Sequence, residues 1–249
     1  MPSFIRKIKI NARYVKNGGE VRAVLEDDYH HFRVRMLFNN HTITAIDGVS
    51  PRIPFISCPQ AASELQKLKG LNIPTTAHNI INMTDVSLHC THLLDLTGLA
   101  LSTVAKGLTS RIYEIDIPRH EAQKTQAHLV RDNMFHLSWS IENKTFITAP
   151  TTYNGLSIGK GFAKWALKNL SNDEAEAALV LRRCAIISLG RLKNLDAIKH
   201  AKPTGVCYAQ QPSRAAESTR IKGSTLDFSY RPEQLCQDDL AWLNFEVLT

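Results

Sequence analysis

Apolar and polar positions alternate with a period of two through VRAVLEDDYHHFRVRMLFNNHTITAI, from Val21 to Ile46, which predicts strands with one buried face. Phe32, Val34 and Met36 fall on that face, and His31, Arg33 and Arg35 fall between them. Asn39-Asn40 marks a turn, after which Ile43 and Ala45 resume the alternation, so the segment reads as a hairpin. Pro51 and Pro54 are expected to stop the ladder, because proline has no N–H to donate. From Cys58-Pro59 the pattern turns helical, with AASELQKL following and Gly70 closing it. A polar loop leads to HCTHLLDLTGLALSTVAKG. Leu93, Leu96, Leu99-Ala100 and Val104 recur there at helical spacing, while Asp95, Thr97 and Ser102 interrupt them. This predicts an amphipathic helix ending at Gly107.

Four further alternating segments, RIYEIDIPR, KTQAHLVRD, MFHLSWSI and KTFITAP, are separated by turn signals and predict an antiparallel meander. Helical patterns follow at Phe162–Ala166 and in DEAEAALVLRRCAIISLGRL, the latter capped by Asn172 or Asp173. Beyond Pro203 the chain turns polar and irregular. The expected fold is α+β: a hairpin plus two helices in residues 1–108, and an antiparallel meander plus helices in residues 109–249. The two halves form two domains or one continuous one.

Composition narrows the functional classes. A chain of 249 residues that is 43% hydrophobic can bury a sizeable core, which excludes global disorder. Lys and Arg number 30 against 23 Asp and Glu, a net charge of +7. The excess is spread out, without stripes or interleaved aromatics, so it suits a small anionic ligand better than nucleic acid. No stretch approaches the roughly 18–20 apolar residues that cross a bilayer. The opening MPSFIRKIKINARYVK lacks the apolar run of a secretory signal. A bacterial-type cytoplasmic protein that does not bind membranes is expected. Its five cysteines, an odd number without a CxxC pair, exclude a disulfide framework, a zinc ribbon and a thioredoxin motif.

Candidate chemistry lies in four places. Glu26-Asp27-Asp28-Tyr29-His30-His31 sets three carboxylates beside two imidazoles, a group that either holds a divalent ion or forms a solvated acidic turn. Cys58 opens a helix, where the dipole favours thiolate; a small residue packing at a cap is the plainer alternative. In His89-Cys90-Thr91-His92 the half-extended helix start lets Cys90 and His92 face one centre, and thiolate with imidazole suits zinc or iron. Against that stands a capped helix with a buried Cys90. Cys207-Tyr208 through Gln210-Gln211-Pro212-Ser213-Arg214 carries an arginine suited to clamping a carboxylate or phosphate, or is a buried structural loop. Cys184 reads as core, and Cys236 is set aside.

Two resemblances follow from these residues. EVRAVLEDDYHHFRVRM, FISCPQAASELQKLKG and LHCTHLLDLTGLA together resemble the bacterial family called domain of unknown function 2889, over roughly the first 110 residues. The shared positions are His30-His31, Pro54-Phe55 with Cys58, and His89-Cys90-Thr91-His92-Leu93. His31 stands where that family often has Asp, and His89 stands in place of Gly. The resemblance carries no activity with it. Residues from about 20 to 107 are also similar, in their order of elements, to the U-type iron–sulfur cluster scaffold proteins. That likeness implies that His30 or His31, Cys58 and Cys90 meet at a metal, with His89 or His92 beside them. The scaffold's first cysteine is missing here, which favours a single metal ion over a cluster.

The expectation is therefore a metal-dependent lyase, isomerase or hydrolase acting on a small organic acid or aromatic compound. His30, His31, Cys58, Cys90, His89 and His92 would supply ligands to divalent zinc or iron. Glu26, Asp27 or Asp28 would serve as general base, and Arg214 would hold an anionic group. Two alternatives stay open: a non-catalytic metal or iron–sulfur carrier, and a metal-free cysteine nucleophile.

Overall fold

The computed structural model describes residues 2–246. The fold is the expected α+β, built on an eight-stranded sheet with strand order β4-β3-β2-β1-β5-β6-β7-β8. The strands are β1 (Ser3–Val15), β2 (Gly18–Asp27), β3 (His31–Asn39), β4 (Thr42–Arg52), β5 (Ser110–Pro118), β6 (Thr125–Arg131), β7 (Phe135–Glu142) and β8 (Phe146–Ala149). The chain divides into two compact units. One comprises Ile8–Arg111, Asp196–Leu226 and Cys236–Thr249; the other comprises Met1–Lys7, Ile112–Leu195 and Asp227–Leu235.

In the first unit the alternation reads out as expected. Phe32, Val34, Met36 and Phe38 are buried along β3, with Arg33, Arg35 and Leu37 half-buried between them. The β3–β4 turn places Asn40 and His41 at φ of 45° and 62°, the left-handed pair that a tight hairpin needs. Two expectations are corrected. β4 continues through Pro51 to Arg52, because it is an edge strand and a missing donor on the outer side breaks no ladder. The stretch Cys58–Leu68 is helical as expected but wound as a 3₁₀ helix, with Cys58, Ala61, Leu65 and Leu68 buried.

The helix α1 (Thr91–Ala105) is buried on nearly every side and not amphipathic. Its hydroxyls are absorbed locally: Thr97 and Thr103 donate to the carbonyls of Leu93 and Leu99, each at 2.8 Å, so polar side chains enter the core without losing a hydrogen bond. Gly98 is needed there, since a Cβ would stand 2.4 Å from the carbonyl oxygen of Ala77.

The second unit holds the meander β5–β8 with α2 (Phe162–Asn169) and α3 (Asn172–Ser188). Ser171, one residue before the expected cap, accepts from the Glu174 N–H at the start of α3. Trp139, Tyr153, Phe162 and Trp165 form a chain of ring contacts with centroids 5.2–5.9 Å apart. Cys184 is buried in α3, as its apolar run suggested. No described helix is long and apolar enough to cross a membrane.

Candidate metal centre

The β2–β3 turn is organised by Asp27, whose side chain is wholly buried. Its Oδ1 accepts the backbone N–H groups of Tyr29 (2.6 Å) and His30 (2.8 Å), and lies 3.1 Å from His30 Nδ1. A carboxylate that fixes one ring nitrogen leaves the other directed elsewhere. His30 Nε2 has no hydrogen-bond partner among the described residues. The His30 ring stacks on His92, in the first turn of α1, with centroids 4.0 Å apart and planes 29° apart. Phe32 lies against both imidazoles. Asp28 is also buried, and its carbonyl accepts from Leu226 and Arg52.

His31, the next residue, goes to a different group. Its Nε2 is 2.8 Å from Asp239 Oδ2 and its Nδ1 is 3.7 Å from Glu26 Oε1. Arg33 donates to Asp239, and Arg52 approaches Glu26 at 3.3 Å. Glu26 Oε2 also accepts the Cys236 N–H at 2.7 Å. Burial would raise the Asp239 carboxyl, but the hydrogen bond and charge of His31, together with Arg33, outweigh it and hold the group below its ordinary value. Glu26, Cys236 and Asp239 form the one group of three ligand-type side chains, among the described residues, whose donor atoms all lie within 4.8 Å of one another. Two guanidinium groups already neutralise its two carboxylates, so it reads as a charge-balanced tie for the C-terminal segment.

The thiols lie elsewhere. Cys90 is the N-cap residue of α1, and Cys58 begins the 3₁₀ helix; both are buried. Burial pushes Cys58 up to about 12, with Cys207 adding to the rise, while a Phe55 backbone hydrogen bond and Arg220 pull it down. Cys90 is raised by burial and by its neighbours Cys58 and Cys207, against backbone hydrogen bonds from Leu93 and His92. His89 is wholly buried, with Nε2 2.8 Å from Thr84 Oγ1 and Nδ1 without a hydrogen-bond partner. Its pKa is lowered chiefly by burial, so the ring stays neutral and Nδ1 is an open donor site.

Arg214 is half-buried, with its guanidinium carbon 4.0 Å from the Tyr208 ring centroid. It has no carboxylate partner among the described residues.

The expected residues thus separate. His30 and His92 meet at the start of α1, where Cys90 is the N-cap and His89 precedes it, while Cys58 begins the 3₁₀ helix. His31 and Glu26 belong to the charged group, and Asp28 is tied to Arg52 and Leu226 by its backbone. The three thiols are not among the groups whose donor atoms lie within 4.8 Å of one another. Cys207 and Asp239 were not singled out as ligands or partners, and Cys236 was set aside. Their partners lie more than a hundred residues away, and spacing carries no signal at that range.

Residues 9–106 match the model of a family described as "Protein of unknown function (DUF2889)", which covers less than half of the chain. The resemblance seen in the first 110 residues therefore holds for the family, and the match brings no chemistry with it. No curated protein and no solved structure matches the chain.

Proposed function

We propose that the protein is a metal-dependent enzyme of the bacterial cytoplasm, of the lyase, isomerase or hydrolase class, acting on a small anionic or aromatic compound. The observation that carries this reading is the convergence at the start of α1. Cys90, the buried N-cap of α1, directly follows His89 with its partnerless Nδ1, the buried Cys58 adds to the rise of the Cys90 pKa, and the Asp27-oriented His30 stacks on His92. Sulfur and imidazole donors fit zinc or iron(II), and an orphaned buried nitrogen is what a ligand looks like without its metal.

When bound, such a metal polarises a substrate oxygen or lowers the pKa of water. Proton transfer falls to His30, because Asp27 holds Nδ1 and leaves Nε2 to accept. Glu26, engaged by Arg52 and the Cys236 N–H, is less suited to the role of base. Arg214, stacked on Tyr208 and without a carboxylate partner among the described residues, is suited to hold the anionic group of the substrate.

A second reading, a non-catalytic metal or iron–sulfur carrier, draws on the burial of both sulfurs, since enclosed thiol-rich sites are commonly structural. A metal-free cysteine nucleophile is disfavoured, because burial keeps both thiols protonated near neutral pH.

Anaerobically purified protein should retain or take up about one zinc or iron(II) per chain, the content of a single site. Both Cys58→Ser and Cys90→Ser should lose it. Wild-type protein that binds neither metal, or variants that bind as well as wild type, would overturn the proposal. A stable brown product after reconstitution with iron and sulfide would move the assignment to the carrier.

A further inference from the structure

The segment Asp196–Leu226 lies outside the family-matched residues but packs in the same unit as the thiols. It is stitched to the regions that deliver Cys58 and Cys90. The Tyr208 N–H donates to the carbonyl of His89 at 3.0 Å, immediately before Cys90. The turn Tyr208–Gln210 packs against the helix that begins at Cys58. On the other side, Phe55 bridges to Arg220, the Ile56 N–H donates to Thr219, and the Ser57 and Ser218 hydroxyls meet at 2.6 Å. Cys207, one residue before Tyr208, is thereby held beside the start of α1, where Cys90 is the N-cap, and next to the turn that packs on the helix begun by Cys58.

We infer that Cys207 is the third sulfur ligand of the proposed centre, making it a three-thiolate site for a divalent metal. The inference deepens the metal reading above and rests on it.

Charge supports the count. Three thiolates around a divalent ion leave one negative charge, which is costly to bury unless offset. Arg220, 7% exposed and bridged to Phe55 three residues before Cys58, is the buried cation on this side, with its Nε also 3.4 Å from Asp196. Cys207 is half-buried where the other two are buried. An open loop would be a poor source of a ligand, but this one is held by backbone hydrogen bonds on both sides, as a preformed site requires. The consequence is that the family-matched portion supplies two sulfurs and the segment beyond it supplies the third.

Cobalt(II) added anaerobically to the full reduced chain tests this, because near-ultraviolet thiolate-to-cobalt charge transfer scales with the number of bound sulfurs. The wild type should give three-thiolate intensity. Cys207→Ser should lower the intensity per bound cobalt by about a third, the share of one sulfur in three, and weaken binding. Cys207→His should lower it equally but keep tight binding and tetrahedral visible bands, a rescue that a purely structural role would not produce. Circular dichroism of the metal-free variants establishes that they fold.

If Cys207→Ser matches wild type in intensity and affinity while Cys58→Ser and Cys90→Ser fall, the centre stands and Cys207 is not its ligand. If the wild type binds no cobalt, the metal reading and this inference fail together.

Discussion

At the β2–β3 turn, Glu26 and Asp239 are buried against Arg33, Arg52 and His31, and both carboxylates are engaged. At the start of α1, Cys90 is the N-cap, His89 Nδ1 is unpartnered, and Tyr208, next to Cys207, donates to the His89 carbonyl. Both groups lie in one unit, and both include residues that local sequence reading marks as reactive. The first is complete without a ligand, since each negative group faces a positive one. The second keeps a buried ring nitrogen without a partner, which the proposed metal would satisfy. Charge compensation separates them better than residue type does: ligand-type residues are common, but uncompensated buried ones are not.

The largest effect expected from breaking this contrast is at Asp239. Asp239→Ala strips His31 and Arg33 of their partner in a buried setting and should cost about 3 kcal/mol, the range for a broken buried ion pair, read as a lower urea midpoint. Metal content should not change. Loss of metal in this variant would join the two groups and undo the contrast.

pH should separate the two groups in opposite directions. Asp239 sits below its ordinary value in the folded chain. Its contribution is therefore full above the unfolded value near pH ~4 and is lost as pH falls through the lower folded value. Cys58 is raised to about 12 when folded. Its contribution is full below the unfolded value near pH ~8.5 and is lost as pH rises toward the folded one. In metal-free, reduced protein, Asp239→Asn should make the acid limb of the stability profile shallower, and Cys58→Ser the alkaline limb, to which the buried Cys90 still contributes. Each variant should leave the other limb in place, and urea midpoints from pH 3 to 11, about one unit below the first unfolded value and about two and a half above the second, read both.

What could be read in advance follows the range of the interaction. Strand alternation at Phe32, Val34 and Met36, the Asn40 turn, the cap at Cys90 and the meander all depend on residues a few positions apart, and all are present. The 3₁₀ winding at Cys58 and the burial of α1 depend on packing from outside, and neither could be read. The site divides on the same principle. Asp27 with His30 is local and was legible as a carboxylate setting a tautomer. His31 with Asp239, 208 positions apart, was not. Nor was Cys207, whose placement is set by the Tyr208–His89 hydrogen bond across more than a hundred residues.

The smallest effect concerns whether the proposed centre is open or closed. Thr84 holds His89 by its Nε2, which leaves Nδ1 as the nitrogen that would meet a metal. Thr84→Val removes that hydrogen bond and should cost the metal-free protein about 1 kcal/mol. If Nδ1 is the fourth donor, freeing the ring should also weaken cobalt binding about tenfold, the lower end for losing a ligand's outer partner. The visible bands would shift while the thiolate intensity holds. A four-donor centre closed in this way would favour the carrier reading. Unchanged visible bands and affinity would place His89 outside the coordination sphere, leaving one position free for water or substrate, as the enzyme reading requires.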